Sequence, residues 1–546
     1  MGEAEDYSPF RKEHFMKLVI IHHHLLPGGV TGVIVDGCRA ILRFLPEVES
    51  VTLVCGRREN VEAVRALVLE GMDERRSDGS FQIDVLPEID YDDHGGSSSS
   101  SEIRELLVRR YSREDSIFWI HNFHLGKNPA YTKALIDIAL NHQSQRIILQ
   151  IHDFPECARY ENLARLNSEI SGALYPIGNN VLYAVINARD REVMIRSGVP
   201  EWAVHVQENP VAQSPDPVDG SDALAIRRKL FSLFGSRFPA AEPDSPIMLY
   251  PVRTIRRKNV LEAGFISAAS PTSINLVVTL PGVSTPERGY SAMVAQVFAE
   301  GLIPGMCGIG REIEAHGMSF FDLVQVADMV VSSSVQEGFG YQFINSLVWG
   351  KPLLARYLDI LDSIRHLFAD HPIEWYDAVS VPLSSPSIRS LRAYLSMRYH
   401  ERVRDVASYL APELIEAVAD EIETMLAADT VDFSFLPVQV QYTLLKDLRT
   451  PAYRAEVVAL NSRLLSSIER LLHSRPGVLS DRVENRLGLK AFAGSFRALI
   501  SSFPVDSDRS IPPIPDVRRN IVSEFSRKEY LRLLFEPVAD GFGEKS

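Results

Sequence analysis

The sequence predicts an α/β protein with two Rossmann-like domains, and three observations carry that prediction. Short β-rich runs alternate with longer helical patterns, the alternation occurs twice, and a Pro/Asp/Ser/Ala-rich stretch separates the two series. The first series comprises "KLVIIHHH", "VTLVCG", "FQIDVLP", "SIFWIHN", "RIILQIHD" and "VLYAVIN"; the second begins with "PIMLYPVR" near residue 246 and continues through "INLVVTLP", "DMVVSSSV" and "PLLARYL". Between them, "AQSPDPVDGSDA" at 212–223 and "FPAAEPDSP" at 238–246 flank one short helical pattern, "LAIRRKLFSLF". Beyond residue 400 the pattern turns helical, as in "YRAEVVALNSRLLSSIERLLHS", with no repeat at solenoid spacing. The expected division is an N-terminal tail at 1–16, a first domain at 17–211, a linker at 212–245, a second domain at 246–400 and a helical C-terminal extension at 401–546.

Composition narrows the function classes. At 546 residues and 45% hydrophobic, the chain exceeds what one ordinary core accommodates. Its 57 basic and 71 acidic residues give a net charge of -14, which argues against a broad nucleic-acid or anionic-membrane surface and requires any anionic ligand to meet a focused site. The four cysteines, Cys38, Cys55, Cys157 and Cys307, are scattered without a CxxC pair, the pattern of structural thiols in a reducing compartment. The N-terminal "MGEAEDYSPFRKEHF" has no apolar signal-peptide core, and no later run is long enough to cross a bilayer. A cytoplasmic protein without a transmembrane segment is the expectation. The polar run "DDHGGSSSSSE" at 92–102 reads as a flexible loop in preference to a lid, with "EIRELLVRRY" starting a helix.

Candidate chemistry sits where strands end. After the first strand, Pro27, Gly28 and Gly29 precede a helical pattern, a turn that permits close backbone approach and points free N–H groups at an anion, or that is simply tight. It lacks the G-x-G-x-x-G spacing of dinucleotide-binding oxidoreductases. His22, His23 and His24 alternate faces on leaving a strand, so they cannot converge on one metal ion. "IHNFHLGKN" at 120–128 and "QIHDFPE" at 150–156 place His121, Asn122, His152 and Asp153 at strand C-termini, where a doubly wound sheet meets its substrate. In the second domain, "YPVRTIRRKNVLEAG" offers Arg253 and Lys258 as a phosphate clamp, with Arg256 and Arg257 between them unable to face inward as well; the alternative is a solvated basic turn. In "DMVVSSSVQEGFGYQFINSLVWG" a strand, a turn and a helix follow one another. The amides around Phe339, Gly340 and Tyr341 can receive an anion, and the Glu337 carboxylate beside them can accept hydrogen bonds from sugar hydroxyls. A phosphorylated sugar fits both features.

Taken together, these stretches resemble the retaining nucleotide-sugar glycosyltransferases of the GT-B fold that carry an E-x7-E motif, the glycogen synthase-like or group 1 superfamily, over roughly residues 17–370. "FFDLVQVADMVVSSSVQEGFGYQFINSLVWGKPLLA", "PGGV", the "HD" after the fifth strand, "ENPV" at 208–211 and "R…RKN" carry the resemblance in order. It implies two Rossmann-like domains facing across a cleft, with transfer of a hexosyl group from a nucleotide diphosphate sugar to an unidentified acceptor hydroxyl. By the same resemblance, Glu337 contacts the donor sugar, Arg253 and Lys258 neutralise its diphosphate, Gly29 with Gly28 lies against it, and His152 stands near the reacting centre. Asn345 occupies the position of the second motif glutamate, which binds the nucleotide ribose; Asn still donates and accepts hydrogen bonds there but removes the charge. His121, Asn122 and Asp153 are acceptor-side candidates. No metal and no cofactor beyond the donor are implied, since "DYDDH" at 90–94 reads as the start of the loop. The low basicity favours a soluble acceptor over a lipid-linked one. The competing readings are a sugar phosphorylase or nucleotide-sugar epimerase of the same fold, and a catalytically silent scaffold, which Asn345 and the helical C-terminus would suit.

Overall fold

Near-continuous apolar runs are what a parallel sheet covered on both faces demands. In the computed structural model, which describes residues 15–72, 79–92, 98–157, 159–211, 223–283, 285–382, 391–475, 477–504, 516–530 and 532, the first series forms a seven-stranded sheet. Its strands are β1 (Met16–Ile21), β2 (Val48–Cys55), β3 (Phe81–Val85), β4 (Ser116–His121), β5 (Arg146–Ile151), β6 (Val181–Val185) and β7 (Val204–Val206). They run in the order β3-β2-β1-β4-β5-β6-β7, every pairing parallel. The winding direction therefore reverses between β1 and β4. At such a switch the loops on either side diverge and leave a crevice at the strand C-termini.

The second series repeats the plan with β8 (Ile247–Arg253), β9 (Asn275–Leu280), β10 (Gly305–Cys307), β11 (Met329–Ser332), β12 (Leu353–Arg356) and β13 (Ile373–Tyr376). The order is β10-β9-β8-β11-β12-β13, again all parallel, with the switch between β8 and β11. A separate antiparallel pair joins β14 (Ser380–Pro382) to β15 (Thr430–Asp432). Of the strands absent from the sequence reading, β14 and β15 make that small pair, and β7, β10 and β13 are edges of the two large sheets, three or four residues long. Too short to show a periodicity, they are held by pairing on one side alone.

The chain forms two compact units, one of residues 1–212 with 484–521 and one of residues 213–483 with 522–546. The helices set apart in the sequence as an extension at 401–546 are divided between them. In the second unit, Leu444, Leu445, Val457, Leu464 and Ile468 share one apolar core with β8 and β9. In the first, helix Leu489–Ser501 turns Phe492, Phe496, Leu499 and Ile500 inward. It packs on helix Gly29–Phe44, where the Phe496 ring lies 4.7 Å from that of Trp119. A Cβ on Gly37 would meet Trp119 at 3.0 Å, so glycine there keeps room for the indole. This segment thus belongs to the first unit although it follows the second in sequence. Of the polar run at 92–102, residues 93–97 lie outside the described residues. Ser99 caps helix Ser100–Tyr111, completing a capping box with Glu102. All four cysteines are buried and unbridged, and burial pushes the Cys55 thiol up to about 11. Among the described residues no helix is long and apolar enough to cross a membrane.

The second unit also buries charge. Arg356, at the end of β12 and 1% exposed, donates to Glu262 at 3.0 and 2.6 Å and to Asp432 at 3.0 and 2.9 Å. The Tyr376 hydroxyl adds a bond to Glu262 at 2.9 Å. Taking the cation out of such a cluster strands two buried carboxylates. Arg356→Met should therefore cost about 3–5 kcal/mol in denaturant unfolding, and adding Glu262→Gln should recover part of that loss.

Candidate active site

The second unit's candidate residues sit at its strand-order switch because two loops are stapled together there. After β8, residues 256–258 make a single 3-10 turn closed by Asn259 at φ 51°, a left-handed conformation that asparagine tolerates. After β11 comes the buried pair Ser333 and Ser334. Ser333 Oγ donates to the carbonyl of Asn259 at 2.9 Å, and Tyr250 Oη donates to the carbonyl of Lys258 at 2.6 Å while bonding Ser334 Oγ at 2.9 Å. Val335 N donates to the Arg257 carbonyl at 2.9 Å. The small serines let the loops approach, the Ser333 hydroxyl adds a bond to carbonyls of the facing turn, and the Ser334 hydroxyl holds Tyr250.

This scaffold sorts the four cations. Arg256 turns inward, donating to Asn259 Oδ1 at 3.0 Å and to the carbonyls of Ser434 and Leu436 at 3.1 Å each. Lys258 pairs with Glu337 Oε1, and Arg257 reaches Glu337 Oε2 at 3.2 Å. Arg253 is left exposed at the end of β8. The Glu337 side chain is 8% exposed. Burial alone would raise its pKa, but Lys258 and then Arg257 overturn that and hold the carboxyl at about 2. Burial in turn draws Lys258 below the ordinary lysine value against the pull of Glu337. Glu337 is thus a fixed carboxylate with a cation on each oxygen, a pairing that the sequence reading did not include. Arg257, passed over in the sequence, is the second of those cations. Helix Tyr341–Val348 follows, its N-cap Gly340 at φ 90°; a Cβ there would strike Phe343 at 2.8 Å. Phe339 is buried, and Asn345 is half-buried one turn into the helix.

In the first unit the helix Gly29–Phe44 begins directly at the glycine pair, with no acidic residue in its first turn. Gly28 has extended backbone that any residue adopts, and a Cβ on Gly29 would touch nothing within 4 Å. Neither conformation nor packing requires glycine at 29, and the missing side chain leaves open space before free N–H groups. At the neighbouring strand ends, His121 Nδ1 and His152 Nε2 are 2.9 Å apart, and their rings stack with an interplanar angle of 11°. Asn122, at φ 52°, accepts from the His152 amide at 2.8 Å and fixes that loop. Burial lowers His152 to about 4 and, with the adjacent His152 and His22, lowers His121 further, so both rings are neutral near pH 7. With Nε2 engaged by His121, the Nδ1 of His152 is the nitrogen available to a ligand. Asp153 is paired with Arg159 at 3.0 Å. His22 bonds the carbonyl of His121 and His23 that of Ile89. Among the described residues no group of three or more His, Cys, Asp or Glu is arranged to hold a metal ion.

Two doubly wound parallel sheets in one chain, each with its polar residues gathered at the switch, make this a GT-B-fold protein. No model of a known protein family matches the chain. Over 534 residues it is 30% identical to the mannosylglucosyl-3-phosphoglycerate synthase of Petrotoga mobilis, an alignment covering 95% of this chain and 99% of that protein. The chain belongs to that family and is a glycosyltransferase. Solved structures similar to it include Anabaena HepE in complex with UDP, at 11% identity and a TM-score of 0.46 over 89% of this chain and 100% of that one. Another is the apo lipopolysaccharide outer core galactosyltransferase WaaB, at 11% identity and a TM-score of 0.44 over 89% and 99%.

The ion pair sets a pH dependence. In the unfolded chain the Glu337 carboxyl takes its proton near the ordinary 4.5, and in the folded chain near 2. The unfolded state therefore binds more protons between those values, and stability from this group is full above pH 4.5 and lost toward pH 2. The difference in unfolding free energy between the wild type and Glu337→Gln should shrink over that window. A difference independent of pH would remove Glu337 from the ion pair.

Proposed function

We propose that this protein is a retaining mannosyltransferase that moves a mannosyl group from a nucleoside diphosphate donor to the glucosyl unit of glucosyl-3-phosphoglycerate. The observation that carries the proposal is the end-to-end alignment with the synthase of Petrotoga mobilis. In the product named there the mannosyl group is outermost, so it is the group added last.

The residues of the second unit suit the donor. Arg253 is exposed, with no ion pair among the described residues, and Lys258 has three donors, so it can hold a phosphate oxygen while keeping Glu337. Glu337, held ionised, can still accept from sugar hydroxyls through its remaining lone pairs. The amides of Phe339, Gly340 and Tyr341 lie on the phosphate side, and Asn345 is assigned the ribose hydroxyls. The acceptor hydroxyl attacks the anomeric carbon on the face from which the diphosphate departs. The leaving phosphate oxygen takes the proton, and Arg253 with Lys258 meets the charge growing on it without a metal ion. In the first unit, His152, neutral and oriented by His121 and Asn122, and the open backbone at Gly28 and Gly29 are the groups assigned to sugar recognition.

The test is transfer from a panel of nucleoside diphosphate mannoses to glucosyl-3-phosphoglycerate, with the anomeric configuration of the product read by NMR. Retention is expected, and Arg253→Ala or Lys258→Ala should each lower turnover at least about a hundredfold. Absence of transfer from every donor would sink the proposed reaction, and an inverted product would sink the retaining mechanism. Asn345→Leu should weaken nucleotide binding in calorimetry by leaving ribose hydroxyls unpaired, whereas Asn345→Glu should keep it. Equal affinity in all three proteins would take Asn345 out of the ribose site.

A further inference from the structure

Two cations in the first unit lie against one aromatic ring, Tyr91, at the C-terminal edge of the sheet, a third pairs with Asp92 next to it, and the donor chemistry uses none of them. Arg57, in the loop after β2, donates to Asp90 at 2.8 Å from Nε and 2.7 Å from Nη2, and its guanidinium carbon lies 5.9 Å from the Tyr91 ring centre. Lys127, in the loop after β4, holds its ammonium 5.6 Å from the same ring centre. Arg165, on helix Tyr160–Glu169 after β5, pairs with Asp92 and donates to the Gly126 carbonyl at 3.4 Å. The outer edges of the arginines also approach Glu59 at 3.7 Å and Glu169 at 3.9 Å, both side chains well exposed. Asp90 is buried and Asp92 half-buried, so these two fix the guanidinium planes while leaving N–H donors of each fork unspent.

Two further features mark the place. Under Tyr91, His23 Nε2 and the Tyr131 hydroxyl are buried without a hydrogen-bond partner among the described residues. The His23 ring lies 5.1 Å from Tyr91 and 4.9 Å from Tyr131. Buried polar atoms without partners are costly, and a bound group or water completes them. A file of rings also joins the patch to His152. Tyr91 lies 5.0 Å from His24, His24 lies 5.6 Å from His22, His22 lies 6.2 Å from His121, and His121 lies 5.2 Å from His152.

We infer that Arg57 and Lys127, set against Tyr91, and Arg165, paired with the neighbouring Asp92, hold the anionic phosphoglycerate end of the acceptor while its glucosyl end lies toward His152. This rests on the acceptor class proposed above. A glycerate carrying a carboxylate and a phosphate on one three-carbon chain presents two anions close together, and converging forks plus an ammonium are the side chains that bind such a pair. In a protein of net charge -14, a site of this kind must be local.

Kinetics with glucosyl-3-phosphoglycerate and with phosphate-free glucosylglycerate test the inference. The wild type should prefer the phosphorylated acceptor. Lys127→Ala and Arg165→Ala, both at positions away from the core, should raise its KM about tenfold or more and narrow that preference. The donor affinity read by calorimetry should stay in place, and Arg165→Lys should recover part of the loss. Melting temperatures close to that of the wild type confirm that the variants are folded. An active wild type with unchanged acceptor KM in both variants, or with equal use of the two acceptors, overturns the anion patch and leaves the mannosyltransferase reading standing. A wild type that transfers to neither acceptor overturns the acceptor class and the patch together.

Discussion

A guanidinium almost closed to water must find its counter-charges inside the protein, and how Arg356 does so governs the geometry of the second unit. Its fork takes Glu262 on one side and Asp432 on the other. From Glu262 the bonds run on to Asn259 at 2.8 Å, and from Asn259 to Arg256, whose other donors close on the carbonyls of Ser434 and Leu436. Strand β12, the helix Val260–Ala269 that carries Glu262, strand β15 and the turn of residues 256–258 are thereby tied to one point. The desolvation of buried charges offsets much of their attraction, so the main contribution of such a cluster is position. Here it fixes the turn whose next two side chains, Arg257 and Lys258, reach Glu337.

That fixed turn accounts for the character of the site. Neighbouring cations would repel one another if they faced the same solvent, and the fold separates them by giving each a different partner. Arg256 faces backbone carbonyls in the core, Arg257 and Lys258 face one carboxylate, and Arg253 faces outward. Cations held in place in advance leave little reorganisation when charge develops beside them. The first unit gathers neutral groups at its strand ends instead. Burial keeps His121 and His152 uncharged, and the bond between them orients one ring against the other.

The strongest strands, the glycine pair before the first helix, the strand-end histidines and the stretch from Ser332 to Gly350 were legible in the sequence because each rests on local physics. Parallel strands buried on both faces have to be apolar runs, and a helix that starts at glycine shows it in the chain. The short edge strands β7, β10 and β13 were not legible, since their stability comes from a neighbour distant in sequence. The run Ser332–Ser334 looked like a plain strand end. Its hydroxyl bonds to Lys258 and Asn259 emerge only when β11 lies beside β8. Arg256 and Arg257 were indistinguishable in the sequence, because their directions depend on what packs against the turn.

By itself the sequence determined the class of fold, the repetition of that fold, and which residues stand at strand ends where chemistry is done. Those follow from hydrophobic period and from the conformational demands of glycine and proline, which act over a few residues. Strand order, the placing of the switch points, the pairing of Glu337 with Lys258 and Arg257, the approach of Arg57 and Lys127 to Tyr91 and the pairing of Arg165 with Asp92 were decided only in the tertiary structure. Each joins residues about 20 or more positions apart, and long-range juxtaposition is set by which faces bury together, information that no local window of the chain contains.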